Sequence, residues 1–350
     1  MSTQLHPATE KYSGLIAGAQ RFVSDTLISV PERDLESAAT VLRSSHRIFC
    51  MGSGSSHPAA LFIAQTLACS KMALASRIVG LSEFLCIQSL CSRDVLILVS
   101  QGYNRADARI VLEFARRHGV QVVLLSAIQT RPDGIAGFLR FSPAYEDERI
   151  FCRPVGVITS TMVAAMLARK TLGLPTDLFS SSSLIADIDQ HSLGVLNEAS
   201  QLVRDSEHVV VLGSGLIAPA CGNIALSLRE GAGLQAEHFE IEFYAHGQYA
   251  AHLRRWSAGA KLTYLLCVNT EDPVSLRAAN RIAPLLASLK VPHIRVETTG
   301  SSEIANVKLL RIGSKIVEYL LQRSGYDMNN PVGKEENRGF QEVATDYYFD

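Results

Sequence analysis

A short apolar run, a glycine-serine-glycine turn and a helix of small residues occur in that order twice in this chain. Arg47 to Met51 leads into Gly52-Ser53-Gly54-Ser55-Ser56, and a small-residue helical run follows from Pro58 to about Met72. His208 to Leu212 leads into Gly213-Ser214-Gly215, and a helix follows from Pro219 to Glu230. Each copy is continued by further strands and helices in alternation. Asp94 to Ser100, Val120 to Ser126, Leu262 to Asn269 and His293 to Glu297 read as strands. Ala106 to His118, Thr159 to Leu172 and Pro273 to Leu289 read as helices. Strands alternating with helices imply parallel sheets with right-handed crossovers. The nearly continuous apolar run of Asp94–Ser100 fits a strand covered on both faces. Two α/β, doubly wound parallel-sheet domains in tandem account for the 350 residues.

Residues 12–43 and 184–207 read as helical connectors. The pattern divides the chain into an N-terminal helical segment over 1–40, a first domain over 41–190, a second over 191–324 and a polar tail over 325–350. Val209 to Leu228 carries no charge over about the length of a membrane span. It contains a GxG, a proline and an asparagine, so it reads as strand, loop and helix in a packed core. The net charge of -1 argues against a general nucleic-acid binder. The seven cysteines lack metal-ligand spacing and read as buried free thiols. With a polar N-terminus from Met1 to Lys11, they give the expectation of a cytoplasmic protein with no membrane segment.

Ligands of open parallel sheets bind beyond the carboxyl ends of the strands. Three small, polar segments fall there: Gly52–Ser56, Ser100-Gln101-Gly102-Tyr103-Asn104-Arg105, and Val157–Thr161. Each offers hydroxyls and backbone N–H groups near a helix start, which suits an anion or a sugar. The P-loop pattern is absent, and the first turn lacks the spacing of a dinucleotide fingerprint.

The order of these segments resembles the successive signatures of the sugar isomerase (SIS) domain. In the second half, Leu212–Gly215, Pro219, Ala225-Leu226, Leu228, Glu230, Ala236-Glu237 and His246-Gly247 resemble, without a gap, the isomerase half of glucosamine-6-phosphate synthase. They are equally similar to the deglycases of fructosyl-amino-acid phosphates. The resemblance spans roughly residues 40–330 and implies two flavodoxin-like SIS domains. It implies a catalytic pair, Glu230 and His246, and phosphate-binding hydroxyls on Ser53 or Ser55, on Ser100, and on Thr159 or Ser160. Gln101, Arg105 and Glu242 join them as candidate substrate contacts, and so does Lys334 from a tail that covers the active site in the family. It implies neither metal nor organic cofactor, and a homodimer with the active site at the interface.

Several positions depart from the pattern. Gly102 stands where the phosphate loop usually has serine, and Arg105 where it has threonine. Asn223 and Ser227 stand where the synthase carries a second glutamate and a lysine. The glutaminase domain of the synthase is not part of this chain. A Glu/His pair without that lysine favours cleavage of an Amadori-type sugar-amine, a 6-phosphate conjugate by resemblance, over aldose–ketose isomerisation. The alternatives are an amino-sugar-phosphate isomerase or deaminase and a non-catalytic sugar-phosphate sensor.

Overall fold

The computed structural model describes residues 6–70, 75–102, 106–144, 147–148, 150, 152–179, 184–324 and 326–329. The chain divides into two compact units, each built on one parallel sheet.

In chain order the elements are α1 (Pro7–Ala17), α2 (Ala19–Ser29), α3 (Glu32–Arg43), β1 (Arg47–Gly52), α4 (His57–Ala68), β2 (Ser76–Ile78) and α5 (Leu81–Leu85). They continue with β3 (Asp94–Val99), α6 (Ala106–Arg117), β4 (Gln121–Ser126), β5 (Gly137–Arg140), α7 (Gly156–Thr171) and α8 (Leu184–Arg204). The second sheet is built from β6 (His208–Gly213), β7 (Gln235–Glu240), β8 (Leu262–Asn269) and β9 (His293–Thr298). Among them lie α9 (Ala218–Ala232), α10 (Ile241–Phe243), α11 (Tyr249–Ser257) and α12 (Pro273–Ser288), and α13 (Ser302–Ser324) follows.

One unit holds Gly18–Arg149 and Val155–Ser182; its sheet has the order β2-β1-β3-β4-β5, with every pairing parallel. All six residues of β3 are buried, as a strand covered on both faces requires. Val95, Ile97, Val123 and Leu125 are among the fully or almost fully buried side chains. At the amino end of this sheet, Arg47 grips the buried Asp94 with Nε and a terminal nitrogen, at 2.9 and 2.6 Å. That fixes β1 against β3 and leaves the opposite, carboxyl end for a ligand.

The other unit holds Met1–Ala17, Ile150–Pro154 and Ser183–Met328; its parallel sheet has the order β7-β6-β8-β9. Strands β6 and β8 are buried along their whole length. Helices α9 and α13 meet where glycines leave room: Gly231 lies against Val317, and Gly313 against Ile224. Arg311 of α13 is 2% exposed. Its guanidinium pairs with both oxygens of Asp189 at 2.7 and 2.6 Å and donates to the Ile16 carbonyl at 3.0 Å. That bond set ties α1 and α8 to α13.

The two sheets are tandem α/β, doubly wound parallel sheets. The uncharged stretch Val209–Leu228 is β6, a turn and α9. No described helix is long and apolar enough to cross a membrane. All seven cysteines are free; Cys50, Cys152, Cys221 and Cys267 are buried, whereas Cys69 and Cys86 are exposed, contrary to expectation. Both exposed ones follow the last turn of a helix, α4 and α5, where the chain reaches the surface. The expected single helical region over 12–43 is three helices, interrupted at Gly18 and at Pro31.

Candidate functional site

Both glycine-serine turns adopt one local geometry. The second glycine of each has a positive φ, 54° at Gly54 and 73° at Gly215, which L side chains rarely adopt. Each turn then enters a short 3-10 segment and a helix with proline in its first positions. The chain therefore turns at the carboxyl end of β1 and of β6, where the two sheets present their loops.

In the β1–β5 unit, Ser53 is exposed and Ser55 half-buried. Ser53 Oγ donates to Asp107 on the first turn of α6 at 3.1 Å. Ser100, just after β3, is half-buried, and its carbonyl accepts from Ser126 Oγ at 2.6 Å. Gln101 is buried and donates from its side chain to Glu148. Thr159 and Ser160 do not present hydroxyls to the surface. They are 0% and 2% exposed, Thr159 donating to the Ser142 carbonyl and Ser160 to Val157 at 3.2 Å. Hydroxyls inside a helix bond back to carbonyls three or four residues earlier unless something draws them out. Arg105, Lys334 and the tail lie outside the described residues.

Sequence spacing did not single out Glu148. Its carboxylate is fully buried and caps α7, accepting from Val155 N at 2.7 Å and from Gly156 N at 2.9 Å. The partners lie 7, 8 and, for Gln101, 47 residues away, with no periodicity to expose them.

In the β6–β9 unit, Glu230 is half-buried on the last turn of α9, which ends at the left-handed Gly233. An acidic side chain is disfavoured at this negative end of the helix dipole. One turn earlier on the same helix, Ser227 Oγ lies 3.3 Å from Asn223 Oδ1, both residues being buried. Ser227 and Asn223, which by resemblance stand where the synthase carries a lysine and a second glutamate, therefore close on one another.

His246 is exposed in the turn Tyr244–Gln248. Gly247, with φ 139° and ψ -21°, makes that turn. Tyr244 anchors it: the ring is buried and its hydroxyl lies 2.5 Å from that of Tyr264 on β8. Glu242 is exposed and accepts from Ser214 Oγ at 2.7 Å. Burial and the Glu242 charge raise the carboxyl of Glu240 above its ordinary range. His246 borders a groove of about 660 Å³ between its own turn and α12. Leu285, Leu286 and Leu289 form the groove's apolar wall, and Glu230 does not line it.

Among the described residues, one cluster brings three metal-type donors within 4.8 Å: His208, Glu237 and His252. Its surroundings fit a metal poorly. A ligating histidine donates its second N–H to an acceptor. Arg255, which can only donate, lies 2.9 Å from His208 Nδ1. The His208 proton therefore sits on Nε2, which faces Glu237 Oε2 at 3.4 Å. Glu237 also accepts from His252 Nε2 at 2.8 Å. Burial, the largest effect, lowers the His208 pKa. The cluster pins α11 to β6 and β7, and so holds the helix that follows His246.

The parallel order β2-β1-β3-β4-β5, followed by β7-β6-β8-β9 with the same glycine-serine turn, decides the fold. It is the fold of paired sugar isomerase (SIS) domains. The comparisons agree. The chain superposes on the C-terminal domain of glucosamine-fructose-6-phosphate aminotransferase from Francisella tularensis with a TM-score of 0.74, at 16% identity, over 92% of this chain and 98% of that one. It superposes on tagatose-6-phosphate ketose/aldose isomerase from Escherichia coli with a TM-score of 0.66, at 16% identity, over 91% and 93% of the two chains. For glucosamine-6-phosphate deaminase from Thermotoga maritima the TM-score is 0.65 at 14% identity, over 93% and 97%. By sequence, the chain is 22% identical over 237 residues to a glutamine–fructose-6-phosphate aminotransferase (isomerizing) of Pyrobaculum aerophilum. That match covers 65% of this chain and only 39% of the relative's length. No family model matches the sequence.

Proposed function

We propose that this SIS pair is a deglycase that hydrolyses an Amadori-type sugar-amine to an aldose and a free amine. The observation that carries this reading is the Asn223–Ser227 pair on α9. It leaves Glu230 and His246 as the acid–base groups at the positions aligned with the isomerases, without the lysine that resemblance associates with isomerisation.

The chemistry needs no more than that pair. In the open-chain conjugate, C1 carries the amine and C2 is a carbonyl. Glu230 removes a proton from C1 while O2 is protonated, which gives an enaminol. Returning the proton to C2 gives a C1 imine. Water adds to C1, the C1–N bond breaks, and the amine leaves with a proton. C1 is oxidised at the expense of C2, so no external oxidant is needed. A histidine of ordinary pKa ~6.5 can carry the proton for ring opening and for O2. A carboxylate can serve as the carbon base.

His246 is exposed in a single chain, whereas acid–base groups work best where water is excluded. Its turn borders a groove lined by exposed apolar side chains: Tyr249 (44% exposed), Leu285 (61%) and Leu289 (48%). A second copy of the chain seated on that groove would cover both the apolar rim and His246, so the working unit is taken to be a homodimer.

The test is product analysis with fructosyl-glycine, fructosyl-lysine and their 6-phosphates. The expected products are an aldose, phosphorylated or not, and the free amino acid. Ammonia from glucosamine 6-phosphate, with the conjugates untouched, would replace this reading by a deaminase. Binding of these sugars without any turnover would replace it by a sensor.

A further inference from the structure

We propose that the groove beside His246 takes the amine half of the substrate, and that this half is an α-amino acid with an apolar side chain. The inference deepens the deglycase reading and rests on it for the sugar that the amino acid carries.

At about 660 Å³ the groove has the size of a small-molecule site. It brings three kinds of group together. The first is the apolar wall of Leu285, Leu286 and Leu289. The second is a pair of arginines, Arg277 and Arg281, four residues apart on α12 and so on one face of that helix. Both are exposed, and neither guanidinium has an ion-pair partner among the described residues. Arg277 uses only its Nε, which donates to the Pro273 carbonyl at 3.2 Å. The third is Glu242 on α10, which also lines the groove and accepts from Ser214 through Oε2 alone.

An α-amino acid joined to a sugar through its nitrogen carries a complement to each of the three. Its carboxylate matches the arginines, whose planar forks bind carboxylates in bidentate fashion. Its protonated secondary amine matches the remaining oxygen of Glu242. Its side chain lies along the leucines, where an apolar group gains by leaving water. A charged side chain would lose its hydration there without a partner, and glycine would leave the wall bare. His246 borders the same groove, so this placement brings the C1–N bond to the histidine. Glu230 does not line the groove and is left to the sugar carbons. The second copy inferred above would close the groove over the amino acid, and the exclusion of water strengthens its charge contacts.

The experiment is equilibrium binding by calorimetry, backed by thermal shift, on the intact chain. The probes are L-leucine, L-phenylalanine, glycine, L-leucinamide and inorganic phosphate, each alone at up to ~10 mM. Leucine or phenylalanine should bind and raise the melting point, as a ligand of the native state does. Glycine, which lacks the side chain, and leucinamide, which lacks the carboxylate, should bind about tenfold or more weakly. Arg277→Gln/Arg281→Gln should reduce leucine to the level of leucinamide while the ligand-free protein stays folded, since both side chains are exposed. If the double variant does not fold, each single variant should weaken leucine and leave leucinamide unchanged. Failure of both leucine and phenylalanine to bind would overturn the proposal and leave the groove to the second copy alone. Leucinamide binding as tightly as leucine, or leucine binding undiminished in the variant, would also overturn it. So would inorganic phosphate binding as tightly as leucine, which would make the arginines a general anion site. The free amino acid needs neither sugar nor turnover, so failure of the deglycase reading would show in the products and leave this comparison intact.

Discussion

Replacing Gly156 by alanine sets helix propensity against packing, and the structure says which prevails. Within a helix, glycine to alanine ordinarily stabilises by about 1 kcal/mol. At residue 156 the new methyl would overlap Gln101 Nε2 and Glu148 Oε2. Overpacking of that kind costs about 1–3 kcal/mol. Pushing Glu148 off its two N–H partners also leaves a fully buried carboxylate poorly paired, and breaking a buried charge's partnership costs about 3–5 kcal/mol. Partial relaxation of the loop before α7 recovers some of this, so a net loss of roughly 3 kcal/mol is expected once the propensity gain is subtracted. Gly194 on α8 is the control, because a Cβ there meets nothing within 4 Å. Gly194→Ala should stabilise its own region by about 1 kcal/mol. The assay is amide hydrogen exchange read on peptides of β3 and β4, which reports the altered unit by itself where a global melt would mix two units. A loss of roughly 3 kcal/mol corresponds to exchange faster by about 100-fold where global opening governs it. Unchanged or slower exchange in Gly156→Ala would refute the packing argument and the seat assigned to Glu148.

Two further predictions concern the β6–β9 unit. Burial pushes His238 from 6.5 down to about 4. A histidine depressed on folding stabilises fully above 6.5 and loses that contribution as pH falls toward 4, because the unfolded chain binds the extra proton. The loss across that window should approach about 3 kcal/mol, and the slope of stability against pH should shrink in His238→Phe. Equal slopes in the two proteins would remove His238 as the cause. For the groove beside His246, wild-type protein should sediment as a dimer and Leu285→Arg/Leu289→Arg as a folded monomer. A wild-type monomer at ~10 µM, or a dimer that survives both charges, would place the interface elsewhere.

What could be read from residues alone follows from burial. Strands β1, β3, β4, β6 and β8 lie inside the sheets, and their apolar runs mark them. The strands that escaped, β2, β5 and β7, are all sheet edges. They are short or half-exposed; β7 buries only Ala236 fully. The glycine-serine turns were legible because a positive φ at Gly54 and Gly215 demands a residue type that stands out. Glu148 was not, because its role depends on a 47-residue separation from Gln101 and on backbone N–H groups that any residue supplies. The inward turn of Thr159 and Ser160 was hidden for the same reason: their type suits a ligand or a helix carbonyl equally, and only the fold selects between them.

Turnover in the two acid–base variants tests the central claim most directly. With whichever fructosyl-amine the wild type cleaves, Glu230→Gln and His246→Ala should each lower the rate of amine release by about 100-fold or more while the protein stays folded. Near-normal release by either folded variant would contradict the account.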